Sequence, residues 1–279
     1  MAISNFIPTV WSEALCQSLD KAYIGVAHCT REFDGDIKEK GNTVKICGLN
    51  SVNVYDYLKN SNMRSAEVLS DFSTDLVINY AKYFNFQIDD VDRAQTNPKL
   101  MQLALKNAAN ALAAEADRIV FETCAAAENT YHATASKSAV IHDLIYACTL
   151  LREISGGNFN DFVLEVSPSV AALIIEAKLN LASDNTELME NGCIGSISGC
   201  KVFASSQIPL GEDENCNPVH RCILRSTRAV AFAEQLSEIQ AYRPELRFAD
   251  AVKGLHLYGC KIVRPQEIMV VNFAFPTEA

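Results

Sequence analysis

Long apolar runs and basic charge are both scarce in this sequence of 279 residues. No apolar run approaches the roughly 20 residues that a helix needs to cross a bilayer, so neither a membrane-spanning helix nor a membrane partner is predicted. Acidic residues outnumber basic ones by 34 to 24, and the net charge of −10 argues against a protein that grips nucleic acid over a broad basic face. The same charge is compatible with a protein that encloses nucleic acid without gripping it.

Cysteine patterns typical of disulfide scaffolds are missing as well, although the chain contains ten cysteines. The cysteines are spread irregularly over a long chain, no CxxC pair occurs, and the N-terminus shows no secretory leader. We therefore expect reduced thiols in a cytoplasm. Three of them are predicted to act as small core residues, namely Cys124, Cys148 and Cys260.

Catalytic motifs are the third absence. The chain has no GxSxG nucleophile elbow, no HExxH pair and no GxGxxG loop between a strand and a helix. Its nearest approach to a metal cluster combines Cys216, His220 and Cys222, which would still need a fourth ligand and tighter spacing. His142 lies on a predicted amphipathic helix, where a packed or surface role is favoured over catalysis. The sequence therefore predicts no enzyme, no cofactor and no bound metal.

Three glycines within eight positions raise the question of a phosphate-binding loop: Gly192, Gly195 and Gly199 in NGCIGSISGCKVFASSQIP, residues 191–209. A phosphate loop needs a preceding strand and a following helix, because free N–H groups at the helix N-terminus hold the anion. Here the upstream segment is polar and irregular, and the downstream segment alternates like a strand until Pro209. A hairpin is therefore predicted, in which the glycines form turns and allow close backbone approach.

The N-terminal region predicts an amphipathic arm followed by a polar ribbon. Trp11, Leu15, Leu19 and Tyr23 recur at helical spacing. Residues 31–60 alternate polar and apolar side chains around three glycines, which is typical of a long two-stranded ribbon. Because both faces of this ribbon are polar, we expect it to lie on another surface, naturally that of a neighbouring subunit.

A long helix is predicted for TNPKLMQLALKNAANALAAEADRIVFETCAAA, residues 96–127. Asn97 suits the N-cap position and Pro98 the first helical position, where its missing N–H costs nothing. About 30 residues at about 1.5 Å per residue give a length of about 45 Å, which indicates a spine or strut.

From Thr134 the pattern changes to compact α/β segments. SAVIHDLIYACTLLREISGG predicts a helix, and DFVLEVSPSVAALIIEAKL predicts a buried strand followed by a helix with Pro168 in its first turn. The strand VHRCILRS and several strands rich in Val, Ile and Tyr follow the hairpin. We expect the spine helix and the closing strands to form one domain, with the α/β segment inserted between them.

Four stretches, together with the order of the predicted parts, carry a family resemblance: KYFNFQIDDVDRAQ, VSPSVAALI, GCIGSISGCKVFASSQIP and YRPELRFADAVKGLHLYGCKIVRP. They resemble the major capsid proteins of tailed bacteriophages, whose fold is shared by encapsulin shells. The last two stretches are the most specific, and the likeness covers nearly the whole chain. It implies an α+β fold with an N-terminal arm, an extended β-ribbon loop, a peripheral domain with a long spine helix, and an inserted axial α/β domain.

The resemblance also divides the chain. It implies an arm at residues 1–30, an extended loop at 31–75, a peripheral domain at 76–133 and 226–279, and an axial domain at 134–225. In the family the axial domain surrounds the symmetry centres of the shell, while the extended loop overlaps a neighbour. The candidate assembly residues lie in the arm, the loop, the hairpin and the closing strands: Trp11, Leu15, Lys38, Lys40, Lys45, Tyr55, Gly192, Gly195, Gly199, Arg243, Arg247, Gly254 and Gly259.

The function implied by the resemblance is that of a structural shell protein. Copies of the chain would form hexamers and pentamers of an icosahedral lattice that encloses double-stranded DNA without sequence-specific binding. Because the sequence starts at Met1 with the arm, a separate scaffolding protein and an uncleaved coat are expected. A portal and a decoration protein are further expected partners, non-covalent assembly is favoured, and assembly in the bacterial host cytoplasm would lead to a virion capsid.

Two other functions stay open at this stage. An encapsulin-like compartment would have the same fold but would load protein cargo instead of DNA. A cytosolic α/β enzyme would use the neighbourhood of Cys216, His220 and Cys222, and one bound zinc per chain would support it.

Overall fold

A computed structural model describes residues 7–32, 43–49, 71–89, 100–155, 161–180, 193–212, 217–245 and 248–275, with the single positions 56, 59 and 62. The helices are α1 (Ile7–Ala22), α2 (Leu100–Ala125), α3 (Val140–Ser155) and α4 (Pro168–Asn180). The strands are β1 (Thr43–Leu49), β2 (Asp71–Val77), β3 (Tyr80–Asp89), β4 (Thr130–Thr134), β5 (Phe162–Val166), β6 (Cys193–Ile197), β7 (Cys200–Ala204), β8 (Gly211–Glu212), β9 (Pro218–Ser226), β10 (Val230–Tyr242), β11 (Ala249–Ile262) and β12 (Ile268–Ala274).

The described strands form three sheets. β1 and β2 pair as an antiparallel ribbon, and β10, β11 and β3 form an antiparallel sheet in that order. The third sheet has seven strands in the order β4-β12-β9-β5-β7-β6, with β8 paired to β9. Helices and sheets thus occur together without regular alternation, which confirms the predicted α+β class.

The seven-stranded sheet is covered on both faces. Along β12, Ile268 and Val270 pack into the core beside the spine helix α2, whereas Met269 and Val271 pack into the core beside α3 and α4. Strand β5, which lies between β9 and β7 in this sheet, is buried at all five positions. A sheet with helices on both faces needs such continuous apolar strands, because every side chain meets a packed layer.

The predicted domain boundaries run through this sheet. β12 and most of β4 fall in the ranges 226–279 and 76–133, which the resemblance gave to the peripheral domain, yet both strands pair within the sheet that holds β5, β7 and β9. The strand β12, IMVVNFA, supplies alternate residues to the two cores on either face of this sheet. An unbroken apolar run in the sequence does not reveal that it serves both cores.

The spine helix α2 has 26 residues and a length of about 39 Å. The prediction of a long strut is confirmed, while Asn97 and Pro98, its predicted start, lie outside the described residues. α1 packs along it through Leu15 and Leu19, and Tyr23, directly after α1, is buried in the same core. The amphipathic arm therefore belongs to the core of its own chain.

At Gly254 and Gly259 the backbone of the three-stranded sheet lies close to other atoms of the chain. A Cβ atom at Gly254 would lie 2.5 Å from the Phe84 ring, and one at Gly259 would lie 2.5 Å from the carbonyl oxygen of Val77. The base of the β1–β2 ribbon packs here, because Ile46 and Leu76 form a small core with residues of β10 and β11. These glycines shape contacts within the chain.

The predicted glycine hairpin is confirmed as β6 and β7. Ser198 and Gly199 occupy the turn with φ angles of 51° and 83°, the left-handed conformation that two-residue hairpin turns require. Gly195 has a φ of 132° at the point where the pairing register shifts, which marks a β-bulge. Gly192 lies outside the described residues.

Candidate assembly site

The segment that follows α1, residues 23–31, joins the layers of the fold, and we call it the anchor segment. The backbone N–H of Thr30 donates to the carbonyl of Val230 at 2.9 Å, and the N–H of Phe232 donates back to the carbonyl of Thr30 at 3.0 Å. The segment thereby forms a short parallel bridge with β10. Further ties come from Asp117 and from two clusters of charged side chains.

The first cluster, which we call the junction cluster, centres on Glu165 and Arg225. Glu165 lies on β5 and Arg225 on β9, and the antiparallel register makes them diagonal neighbours on one face of the sheet. The Arg225 Nε donates to Glu165 Oε2 at 2.9 Å, and its Nη2 donates to Oε1 at 2.8 Å. Neither side chain is exposed to solvent. The pair is therefore a bidentate, fully buried salt bridge.

Arg225 also holds the anchor segment directly. Its Nη2 donates to the carbonyl of Gly25 at 2.7 Å, and its Nη1 donates to the carbonyl of His28 at 3.1 Å and to Cys29 Sγ at 3.2 Å. With the two bonds to Glu165, five bonds match the five N–H donors of a guanidinium. A buried cation survives at this point because each of its donors is satisfied.

His28 completes the cluster from the side of the anchor segment. Its Nδ1 lies 3.2 Å from Glu165 Oε1, and its ring packs on Phe203 with a centroid distance of 4.3 Å. Burial acts to raise the pKa of the Glu165 carboxyl, but the attraction of Arg225 and the hydrogen bond with His28 outweigh burial and hold that pKa below its ordinary value. Glu165 is therefore charged at neutral pH.

Asp117 fastens the same segment to the spine helix. Its Oδ2 accepts the backbone N–H of Ile24 at 2.9 Å, and its Oδ1 accepts that of Val26 at 2.9 Å. Burial raises the pKa of this carboxyl to about 6, although the backbone hydrogen bonds pull it down. A single side chain thus caps the turn between α1 and the bridge on β10.

The second cluster, the clamp, surrounds Glu234 on β10. Its carboxylate accepts the Tyr23 hydroxyl, pairs with the Arg31 guanidinium, and lies 2.8 Å from Nε2 of His256. Burial acts to raise the pKa of Glu234, but the hydrogen bonds from His256 and Tyr23 and the charge of Arg31 lower it overall. The clamp fixes both ends of the anchor segment to the three-stranded sheet.

Together with Asp117, the two clusters tie the anchor segment to α2, to the seven-stranded sheet and to the three-stranded sheet. The charges of Glu165 and Arg225 neutralise each other away from solvent, so they are placed to fix geometry rather than to reach a substrate.

The candidate assembly residues of the arm and the loop are partly described. Trp11 lies on α1, Leu15 is buried in the core beneath α1, and Lys45 is exposed on β1. Four further predicted residues lie outside the described part of the chain: Lys38, Lys40, Tyr55 and Arg247. Arg243 is exposed and its Nε donates to Asp250 at 3.0 Å. The described members of the predicted set therefore lie on different elements and do not come together in one site.

The predicted alternative of a zinc site has little support in the described residues. Cys222 is fully buried on β9, and His220 Nδ1 lies 3.3 Å from the hydroxyl of Ser167. Cys216 lies outside the described residues. Within the described ranges no three His, Cys, Asp or Glu side chains converge on a point that suits a metal, and no helix there is long and apolar enough to cross a membrane.

Sequence reasoning missed the residues of both clusters. Glu165 is the single charged residue of the apolar strand FVLEV, and Arg225 follows the apolar run CIL within β9. These apolar surroundings are the signal that could have found them. A charged side chain in a strand buried on both faces requires a partner. Asp117 gave a similar signal as an acidic residue on the apolar side of the spine helix.

An apolar surface remains on the outer face of the three-stranded sheet. Tyr83 and Leu255 stand opposite each other on β3 and β11, and 78% of Tyr83 is exposed. Phe248, just before β11, is 83% exposed. Beside them the Tyr242 hydroxyl donates to Asn85 at 3.0 Å, and the Lys253 ammonium lies 5.4 Å from the Tyr242 ring centroid. The exposed pair of Tyr83 and Leu255 forms an apolar patch on this sheet, and such patches are typical of an interaction surface.

Comparison with known proteins gives a match at the level of structure. No family model matches the sequence, and no curated protein matches it. Among solved structures, a chain of Mycobacterium phage Che8 is 25% identical, with a TM-score of 0.65 over 89% of this chain and 90% of that one. A chain of the capsid of Ralstonia phage GP4 is 12% identical, with a TM-score of 0.66 over 94% and 92%.

A virus-like particle from Pyrococcus furiosus shares the architecture as well. Its chain is 14% identical and has a TM-score of 0.58 over 95% of this chain and 99% of that one. In all three comparisons the match spans nearly the full length of both chains. The chain therefore has the major capsid protein fold of the tailed bacteriophages.

Proposed function

We propose that this chain is the major capsid protein of a tailed bacteriophage, which self-assembles into an icosahedral shell around double-stranded DNA. The observation that carries the proposal is the likeness to the Che8 chain, which combines 25% identity with coverage of about nine-tenths of both chains. A compartment for protein cargo is the nearest alternative, because the Pyrococcus furiosus particle has the same fold. Its chain is 14% identical to this one, compared with 25% for the Che8 chain.

The proposed shell retains the arm. Leu15, Leu19, Tyr23 and Val26 are buried in the core around α2. The anchor segment also supplies partners to both ionic clusters. Removal of this region would expose apolar surface and leave Arg225 without three of its acceptors. A coat that is not cleaved within or after α1 is therefore part of the proposal.

Partners other than further copies of the chain follow from the proposed role. Hexamers and pentamers of the chain form the lattice, a separate scaffolding protein directs their closure, and a portal occupies one vertex. A decoration protein would bind the outer surface. The net charge of −10 supports enclosure without binding, because an acidic wall repels the phosphate backbone and does not hold DNA during filling.

Electron microscopy of the purified chain, alone and coexpressed with the genes that neighbour its own, tests this function. We expect closed icosahedral particles, sheets or tubes, with intact-mass measurement showing an arm that is still attached. Nuclease-resistant DNA in particles made with the portal and packaging genes would separate a capsid from a compartment. A uniform monomer or small oligomer under all conditions would contradict the shell, and a protein cargo would favour the compartment.

A further inference from the structure

Two thiols face each other in the core between α3 and β7. Cys148 lies on α3, Cys200 is the first residue of β7, and their Sγ atoms are 4.0 Å apart. Both are free thiols with no solvent exposure. A disulfide has a bond length of about 2.05 Å, so an approach of about 2 Å would bring the sulfurs to bonding distance.

A second contact beside the thiols fixes the two elements that carry them. Arg152 follows Cys148 by about one helical turn, and its Nη2 donates to the carbonyl of Ser198 in the hairpin turn just before Cys200. Both cysteines also lie in the core shared by α3, α4 and the sheet. Helix and hairpin are therefore held in a fixed register in which the two sulfurs meet.

The two thiols are not equivalent. The S–H of Cys148 donates to Cys200 Sγ, and this hydrogen bond, helped by the positive charge of Arg152, lowers the pKa of Cys200 below its ordinary value despite burial. Cys200 is thus the thiol that is converted more readily to a thiolate, the form that attacks oxidants. Cys148 is placed to react with the product.

We propose that Cys148 and Cys200 are an oxidation site, at which a peroxide-class oxidant converts the thiol pair into an intrachain disulfide. The Cys200 thiolate attacks one peroxide oxygen, the O–O bond breaks, hydroxide leaves, and a sulfenic acid forms on Cys200. The Cys148 sulfur then attacks the Cys200 sulfur, the S–O bond breaks, and water leaves. Overall, two thiols and one hydrogen peroxide give one disulfide and two waters, with both sulfurs oxidised and both oxygens reduced.

The disulfide would join α3 covalently to the hairpin and close a loop of about 50 residues, which raises the Tm by several degrees. Burial makes the reaction slow, since the oxidant enters only when the core opens locally. In the proposed shell, on which this consequence rests, the pair would stay reduced in the host cytoplasm and become oxidised after release.

Peptide mapping of the full-length chain tests the site. The protein is treated with hydrogen peroxide for increasing times, alkylated under denaturing conditions, digested without reduction and analysed by mass spectrometry. We expect a cross-linked peptide pair that contains Cys148 and Cys200, a loss of two free thiols and a mass lower by two hydrogen atoms. Dithiothreitol should reverse all three changes.

Single variants identify the pair. Cys148→Ala and Cys200→Ala should each abolish the cross-linked peptide, whereas Cys222→Ala, at another fully buried cysteine, should leave it unchanged. Sulfinic or sulfonic acid on Cys200 without the cross-link, or unmodified thiols at both positions after long exposure, would overturn the proposal. The wild-type result is decisive even if a variant does not fold, and it can be read on chains that form no particles, so it is independent of the shell test.

Discussion

The Arg225 guanidinium and the Glu165 carboxylate form a bidentate salt bridge, at 2.9 and 2.8 Å, that is buried completely between the seven-stranded sheet and the anchor segment. Two charges removed from water contribute little net stability as a pair, but they are strongly destabilising when one is lost. Since Arg225 also holds the carbonyls of Gly25 and His28, the pair decides where the arm joins the sheets.

Glu165→Gln should lower the unfolding free energy by about 3–5 kcal/mol, because it leaves the Arg225 charge buried without its counter-ion. Urea denaturation of the unassembled chain measures the loss. The double variant Glu165→Leu, Arg225→Met should be more stable than Arg225→Met alone, because both lose the donor to the Gly25 and His28 carbonyls but only the single variant buries an unpaired charge. An equal or larger loss in the double variant than in Arg225→Met would contradict the assignment of the loss to the unpaired charge.

The exposed ion pair of Asp161 and Arg228 provides the matched control for that experiment. These side chains lie 3.4 Å apart and are each about half exposed. Asp161→Asn should therefore change the unfolding free energy by less than about 0.5 kcal/mol.

Asp117 predicts a pH dependence of stability. Burial raises the folded-state pKa of this carboxyl to about 6, above its ordinary value of 3.8. Between these values the folded chain binds more protons than the unfolded chain, so the contribution of Asp117 to the unfolding free energy falls as the pH rises from about 4 to about 6. The destabilisation by Asp117→Asn should accordingly be larger at pH 4 than at pH 7, by about 2–3 kcal/mol.

Urea denaturation at several pH values between 4 and 7 checks this difference, with Glu122→Gln as the control. Glu122 lies on the same helix but is exposed and pairs with Arg118 at the surface. Because the pair is exposed, its substitution should change the unfolding free energy by no more than about 0.5 kcal/mol. A pH-independent effect of Asp117→Asn would show that the carboxyl titrates normally in the folded chain.

Local signals in the sequence were sufficient to predict the hairpin, the spine helix and the α/β segments. Pro168 at a helix start, Gly199 in a turn and the apolar spacing along α2 each act within a few residues, so the hairpin, the spine helix and the α/β segments are all predicted correctly. The order of these predicted parts then supported the resemblance to phage capsid proteins.

Local signals of this kind do not predict which strands or side chains pair when they are far apart in the sequence. The strand β12 is as apolar as a strand of either core, and only its pairing with β9 and β4 shows that both cores share it. Glu165 and Arg225 are 60 residues apart, and nothing local to either selects the other as its partner. The apolar surroundings of each charge predict that a partner exists, whereas the fold determines which one it is.

Gly259, which the resemblance placed among the candidate assembly residues, makes a close backbone contact within its own chain. A Cβ atom there would lie 2.5 Å from the backbone oxygen of Val77, which cannot move without shifting the ribbon. Gly259→Ala should lower the unfolding free energy by about 1–3 kcal/mol even in the unassembled chain. Gly211→Ala, where the nearest atoms belong to the flexible Arg221 side chain, should cost less; equal costs in the two variants would contradict a backbone clash at Gly259.

Tyr83 tests whether the outer face of the three-stranded sheet takes part in assembly. Its side chain is 78% exposed beside Leu255, so Tyr83→Ser should change the unfolding free energy of the isolated chain by no more than about 0.5 kcal/mol. If particle formation buries this face, the same variant should raise the protein concentration needed for assembly, because each subunit loses apolar area at a repeated contact. Light scattering against concentration measures this threshold, and Tyr83→Phe, which keeps the aromatic area, should restore it. A normal threshold for Tyr83→Ser would place the subunit contacts elsewhere on the fold.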